Sequence, residues 1–307
     1  MRRLNQLPCL AIAFAFITLI CASIADAAPN GRITVTDDFR HNVTVNAPPL
    51  RIVSLDPAAN AMLFAAGAGS QLVGTIEYSG QPASEMKLPK IGSADAIDLE
   101  RLIGLRPDVV VVWPDGNNPA QIATIERLGI SVYRQEAITL DSIPASLRRL
   151  GRLTGTSGAA DRRAGALAAR LAGLRKDYAN SSQSPTVLLE VWDRPLYTVG
   201  RRELMSDALV VCGARNAFAD LPARAPAIGI EAVLARNPDI IVAAAPPGEA
   251  AAWLAQWRRF PSLRAVRTGR LLAFEDQRLV GLGPGAIDAT AALCGKIAAL
   301  TGRTEPK

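Results

Sequence analysis

The sequence predicts an α/β protein of two similar lobes with a ligand cleft between them, and three features carry that expectation. Glu100-Arg-Leu-Ile-Gly-Leu-Arg-Pro107-Asp108-Val-Val-Val-Val recurs 131 positions later as Glu231-Ala-Val-Leu-Ala-Arg-Asn-Pro238-Asp239-Ile-Ile-Val. Each copy reads as a short helix opened by an acid, stopped at Pro, and followed by an aliphatic run suited to a buried parallel strand. Between the copies, residues 143–184 show helical periodicity and no strand signal. A helix feeding a strand is half of a βαβ unit. The repeat therefore implies two Rossmann-like lobes, residues 28–142 and 185–307, joined by a long connecting helix packed across both.

Taken in order, the first lobe opens with apolar/polar alternation at Ile33–Thr36 and Val43–Val45 around Asp37 and Asp38, the pattern of an edge hairpin. Arg51–Leu55 reads as a strand, Asp56-Pro57 as a helix start, and Ala58–Ala66 as a helix stopped by Gly67. Leu72–Ile76 and Val109–Val112 are further strands, the second running into the loop Trp113-Pro-Asp-Gly-Asn-Asn118. A helix over Gln121–Leu128 and a strand over Ser131–Tyr133 complete the lobe. In the connector, Leu147, Leu150 and Leu153 mark one helix, and Thr154-Gly-Thr-Ser-Gly158 interrupts it. Ala160, Ala164, Leu167, Leu171, Leu174 and Tyr178 then lay an apolar stripe along a longer one. The second lobe offers a strand at Thr186–Val191, a helix at Leu204–Cys212 stopped by Gly213, the second repeat, and a last strand at Leu271–Phe274. Trp253 and Trp257, one helical turn apart, read as packing.

The first 27 residues have the pattern of a secretory signal: Arg2 and Arg3, an apolar run from Leu10 to Ser23, and small residues at Ala25-Asp26-Ala27. A retained anchor is the alternative, although the run falls short of the roughly 20 residues that span a bilayer. Cys21 invites a lipoprotein reading, against which stands the bulky Ile20 before it. Removing the signal leaves 32 basic and 27 acidic residues, scattered along the chain, which gives no footing for nucleic-acid binding. Export to the periplasm also leaves Cys212 and Cys294 as an even pair in an oxidising compartment, for which a disulfide is the economical reading and two buried thiols the alternative.

Enzymatic machinery has no residue set to stand on. The chain has one histidine, His41, in the expected hairpin, and no nucleophile elbow, P-loop or dinucleotide glycine motif. Neither a metal site nor a resident cofactor is expected. The side chains expected at strand ends are aromatic and basic: Tyr78 and Trp113 from the first lobe, Trp192, Tyr197, Arg224 and Arg278 from the second. Rings and guanidinium groups suit a bulky ligand with conjugated or anionic parts.

At Arg51-Ile-Val-Ser-Leu-Asp-Pro57, Leu63-Phe-Ala-Ala-Gly67, Tyr78-Ser79, Leu99-Glu-Arg101, Pro107-Asp108, Trp113, Cys212-Gly213, Val233-Leu-Ala-Arg236 and Cys294, the chain resembles a known family. These are the helix-linked periplasmic binding proteins of ABC importers for metal chelates such as siderophores, haem and cobalamin, and the cobalamin-binding branch is the most similar. The resemblance implies a monomeric receptor whose cleft aromatics are Tyr78 and Trp113 and whose disulfide joins Cys212 to Cys294. It also implies that Glu100 and Glu231 dock onto arginines of the permease dimer. Iron-siderophore or haem binding on the same fold is the first alternative, and an enzyme acting in the cleft the second. Departures from the branch accompany the likeness: Ala94 and Ala225 stand where it has tryptophan, and Ala61 replaces an acid. A late-loop arginine falls near Gly281, leaving Asp276 and Arg278 as substitutes in the ligand set.

Overall fold

A computed structural model of the chain describes residues 31–77, 87–178, 184–281 and 283–302. The first described residues form a hairpin: β1 (Ile33–Thr36) pairs antiparallel with β2 (Asn42–Val45), Ile33 opposite Val45. At its turn the Asp37 carboxylate accepts the backbone N–H groups of Phe39 and His41. The first sheet is then built from β3 (Ile52–Ser54), α1 (Pro57–Ala65), β4 (Leu72–Thr75), α2 (Leu99–Gly104), β5 (Val109–Val112), α3 (Pro119–Arg127) and β6 (Ser131–Arg134). Its order is β4-β3-β5-β6 and every pairing is parallel. All four valines of β5 are buried, as a central strand covered on both faces requires.

The connector is two helices, α4 (Ser142–Thr154) and α5 (Ser157–Tyr178), turned about Gly155 and packed side by side. The long connecting helix of the sequence reading is thus the second arm of a helical hairpin. Gly151 sits inside α4 because a Cβ there would fall 2.3 Å from the Cβ of Ala160 on α5. The expected stripe is buried in full at Ala160, Ala164, Leu167, Leu171 and Leu174.

The second lobe comprises β7 (Thr186–Asp193), β8 (Leu196–Thr198), α6 (Leu204–Val211), β9 (Arg215–Asn216), α7 (Ile230–Arg236), β10 (Ile240–Ala244), α8 (Ala250–Ala255), α9 (Arg264–Arg267), β11 (Leu271–Phe274) and α10 (Gly285–Leu300). Its sheet runs β11-β10-β7-β8, with β9 also on β7; β8 is antiparallel and the other strands are parallel. From the connector, α5 lies against α1 of the first lobe and against α6 and α10 of the second. One apolar core accordingly runs from Ile52 and Val109 through Leu147 and Leu167 to Val187 and Ile240.

The sequence repeat is a repeat of structure. Asp108 accepts the N–H groups of Leu50 and Arg51 at 2.8 and 2.9 Å and returns its own N–H to the Arg51 carbonyl. Asp239 accepts the N–H and hydroxyl of Thr186, both at 2.8 Å, and returns its N–H to the Thr186 carbonyl. In each lobe the aspartate before the second strand of a parallel pair thus closes the start of the first. The Asp239 carboxyl is partly buried, yet its bonds from Arg264 and Thr186 hold it below the usual carboxylate range.

Cys212, at the end of α6, is bonded to Cys294 in α10. Both are fully buried, and the bond closes a sequence separation of 82 residues within the second lobe. Thiol labelling of the unreduced, unfolded mature protein is expected to find no free cysteine. Reduction is expected to lower the unfolding free energy by about 2 to 5 kcal/mol, read as a drop in the urea midpoint.

Candidate ligand cleft

Parallel sheets present their loops at the carboxyl ends of the strands, and here those edges meet across a cavity of about 550 Å³. The first lobe contributes Asp56 and Pro57 after β3 and Trp113 and Asp115 after β5. The second contributes Val191, Val199, Glu203, Met205, Arg224, Ala225, Val280 and Gly281.

Trp113 is held by its own loop. Its backbone N–H donates to the Asn117 side chain at 2.8 Å, and Asn117 donates in turn to the carbonyls of Leu55 and Ala94. The ring lies over Gly116, where a Cβ would come within 1.9 Å of it, and the indole N–H points to Glu136 at 3.4 Å. Glycine in this loop is therefore a steric requirement of the ring's position.

Arg224 does not offer a free positive charge. Its Nε donates to Glu203 and one terminal nitrogen to Asp115, both at 3.0 Å, and the same nitrogen contacts Glu136. Three carboxylates therefore surround one guanidinium; Asp115 and Glu203 of these line the cavity, and Asp56 is the third acid of its wall. The expectation of a basic cleft is corrected to an acidic one.

The other expected ligand residues divide. Trp113 and Arg224 meet at the cavity; Tyr78 lies outside the described residues. Trp192 is inside β7 rather than in a loop beyond it, because the strand runs to Asp193 and not only to Val191. Its period of two turns Val191 to the cavity and sends Trp192 to the opposite face, edge-on to Trp253 with its N–H on the Arg194 carbonyl. Tyr197, opposite Trp192 on β8, bridges to Ala227 and lines no part of the cavity. Asp276 and Arg278 satisfy each other at 2.6 Å, beside the wall residues Val280 and Gly281. Of the two alanines, Ala225 lines the cavity, whereas Ala94 is packed in the first lobe. His41 stays on the exposed hairpin beside Asp37, and Trp253 and Trp257 are buried as packing. Glu100 and Glu231 are exposed in the first turns of α2 and α7.

Asp56, Asp115, Glu136, Glu203 and Asn117 were missed. Asp56 and Glu136 lie two residues beyond the ends of β3 and β6, so the strand-edge argument that selected Trp113 applies to them equally. Burial pushes the Asp56 carboxyl up to about 7, over the opposing bonds from the Ala58 and Ala59 N–H groups, and the charge of Glu136 adds to the rise. Burial also raises Glu203, with Arg224 opposing. Deep in the second lobe, Glu190 is likewise pushed up to about 7 by burial while accepting from Trp257 and Gln256.

The chain matches the periplasmic binding protein family over residues 52–277 and belongs to it, as two lobes closing on a cleft and joined through helices lead one to expect. The vitamin B12-binding protein of Photorhabdus laumondii is 31% identical over 256 residues, 83% of this chain and 90% of the relative. Among solved structures, the periplasmic vitamin B12 binding protein of Vibrio cholerae superposes with a TM-score of 0.76 at 29% identity, covering 83% of this chain and 99% of that one. A periplasmic haem binding protein from Pseudomonas aeruginosa superposes at 0.70 and 28% identity, covering 84% and 95%. The class is one of binding proteins and not of enzymes.

Asp56 and Glu190 have folded pKa values above their unfolded ones, so their protonated forms favour the folded state. That contribution is present in acid and is lost as pH rises through about 7. Asp56→Asn, which retains a side chain able to cap α1, is expected to remove about 1 to 4 kcal/mol of the fall in stability between pH 4.5 and 8.5, measured by urea unfolding.

Proposed function

We propose that the protein is the periplasmic receptor of an ABC importer, that it captures a corrinoid, and that it passes it to the permease dimer through Glu100 and Glu231. The cleft wall carries the ligand reading. Haem presents propionate carboxylates, and catecholate and carboxylate ferric siderophores are anionic. The periphery of a corrin is instead fringed with neutral amides whose N–H groups seek acceptors. A wall of Asp56, Asp115 and Glu203, whose one arginine is bonded to Asp115, Glu203 and, beyond the wall, Glu136, accepts amide donors and repels carboxylates. Trp113 supplies a flat apolar face for a conjugated ring. The vitamin B12-binding relatives support the same choice. Export by residues 1–27 completes the proposal.

Titration calorimetry with cyanocobalamin, cobinamide, haem and ferric siderophores tests the ligand. Both corrinoids are expected to bind at least tenfold more tightly than haem, and tight siderophore binding with no corrinoid binding would overturn the reading.

The docking role rests on the exposure of Glu100 and Glu231 at matched first turns in both lobes, away from the cavity. Helix-dipole complementarity, worth about 0.3 to 1 kcal/mol, accounts for one such acid but gives no reason for the match across lobes. Changing both residues to Arg is expected to abolish uptake while leaving ligand affinity within twofold. Undiminished uptake by the double variant would sink this role.

A further inference from the structure

Behind the Trp113 cavity is a second one of about 640 Å³, walled in part by Asp38, Phe39, Thr139, Ser142 and Arg149. Asp115 and Arg224 line both cavities, so the Arg224 cluster is the partition between them. The guanidinium stays on Glu203 of its own lobe and reaches Asp115 and Glu136 of the other. Glu136 and Glu203 side chains are only 7% and 10% exposed, so closing the partition desolvates them, while Asp115, at 52%, is a weakly held partner. The rear wall is braced at Asp38, which also holds the backbone of the partition residue Glu136. Asp38 accepts from the Ser146 hydroxyl, the Arg149 Nε and the Glu136 N–H, at 2.8, 2.9 and 2.9 Å, tying the hairpin turn to α4.

Cavities of roughly 300 to 1,000 Å³ enclose drug-sized ligands, and a macrocyclic chelate with its appendages is far larger than those. We infer that Arg224 is a displaceable bar across a single ligand trench: a bulky chelate enters by breaking the contacts of Arg224 with Asp115 and Glu136, and the rear compartment then becomes part of the binding site. The nature of the occupant rests on the corrinoid reading; the bar does not. A bar that must open competes with the ligand, because apparent affinity scales with the fraction of molecules already open.

Two variants cut the bar from opposite sides. Arg224→Gln, and separately the double variant Asp115→Asn with Glu136→Gln, whose amide carbonyls still accept ligand N–H groups, are each expected to bind cyanocobalamin roughly three- to thirtyfold more tightly than the parent, largely through faster association. Weaker binding by Arg224→Gln would mean that the arginine grips the ligand, and opposite changes in the two variants would mean that only the net charge matters. Either result, or no change in both, overturns the bar. Thr139→Trp puts a ring in the rear compartment and leaves the bar's residues in place. It is expected to weaken binding at least tenfold, and unchanged affinity would remove that compartment from the site. If the parent binds no corrinoid, small-angle scattering of the ligand-free proteins still decides: a larger radius of gyration in both bar variants supports the bar, and superimposable curves overturn it. Thermal melts establish that the variants are folded.

Discussion

Two aspartates set the registers on which the cleft depends. Asp108 and Asp239 each bond the start of the strand preceding their own in space, so that β3 with β5, and β7 with β10, begin level with one another. Parallel strands that start level run the same way, so the loops that follow them leave from the same edge of each sheet. Asp56, Trp113 and Glu136 come from three successive strand ends of one such edge, and Val191 projects from the corresponding edge of the other. Asp108 accepts two backbone N–H groups, and Asp239 one together with the Thr186 hydroxyl and an Arg264 N–H, at the start of an aliphatic strand where backbone N–H groups would otherwise lack a partner.

The architecture was legible because it is written in local periodicities. The repeat around Glu100 and Glu231, the stripe from Ala160 to Leu174 and the alternation at Ile33–Val45 each express a helix or strand within about twenty residues. Cleft chemistry was less legible, since it depends on pairs far apart in sequence. Arg224 meets Asp115 and Glu136 across 109 and 88 residues, and no local pattern announces that its charge is already spent. Trp192 was misplaced for a different reason. Ending the strand at Val191 put the tryptophan in a loop, whereas two further residues of pairing with β8 fix it on the face toward Trp253. Arg278 shows the converse: a partner two residues away, Asp276, was present in the sequence and makes the pair self-sufficient.

The connector constrains how the lobes move. With α5 packed on α1, α6 and α10, and with one core continuous through all three layers, a wide swing would expose apolar surface costing roughly 25 cal/mol for each Å² uncovered. Small opening motions at the cleft are the inexpensive ones, since they break contacts among groups that water can solvate. Gly283 and Ala61 approach so closely that a Cβ on Gly283 would stand 3.3 Å from that of Ala61, a contact between lobes made by the smallest available side chains.

On the corrinoid reading proposed above, recognition in the cleft rests more on acceptors than on rings. Ala225 leaves open wall where an indole would add stacking area, and Trp113 is the aromatic residue lining the cavity among the described residues. Large aromatic contacts commonly carry 2 kcal/mol or more each at a hot spot, so alanine at such a position gives up affinity. What the carboxylates contribute is discrimination: a site of buried acceptors rejects ligands that bring like charge or lack donors far more strongly than an apolar slot rejects a misfit. The elevated Asp56 adds a consequence of its own, because near pH 7 it exists partly as an acid that donates a proton and partly as a carboxylate that accepts one. A ligand fringed with amides, each carrying both a carbonyl and an N–H, satisfies either form, whereas a carboxylate-bearing ligand is matched only by the protonated one.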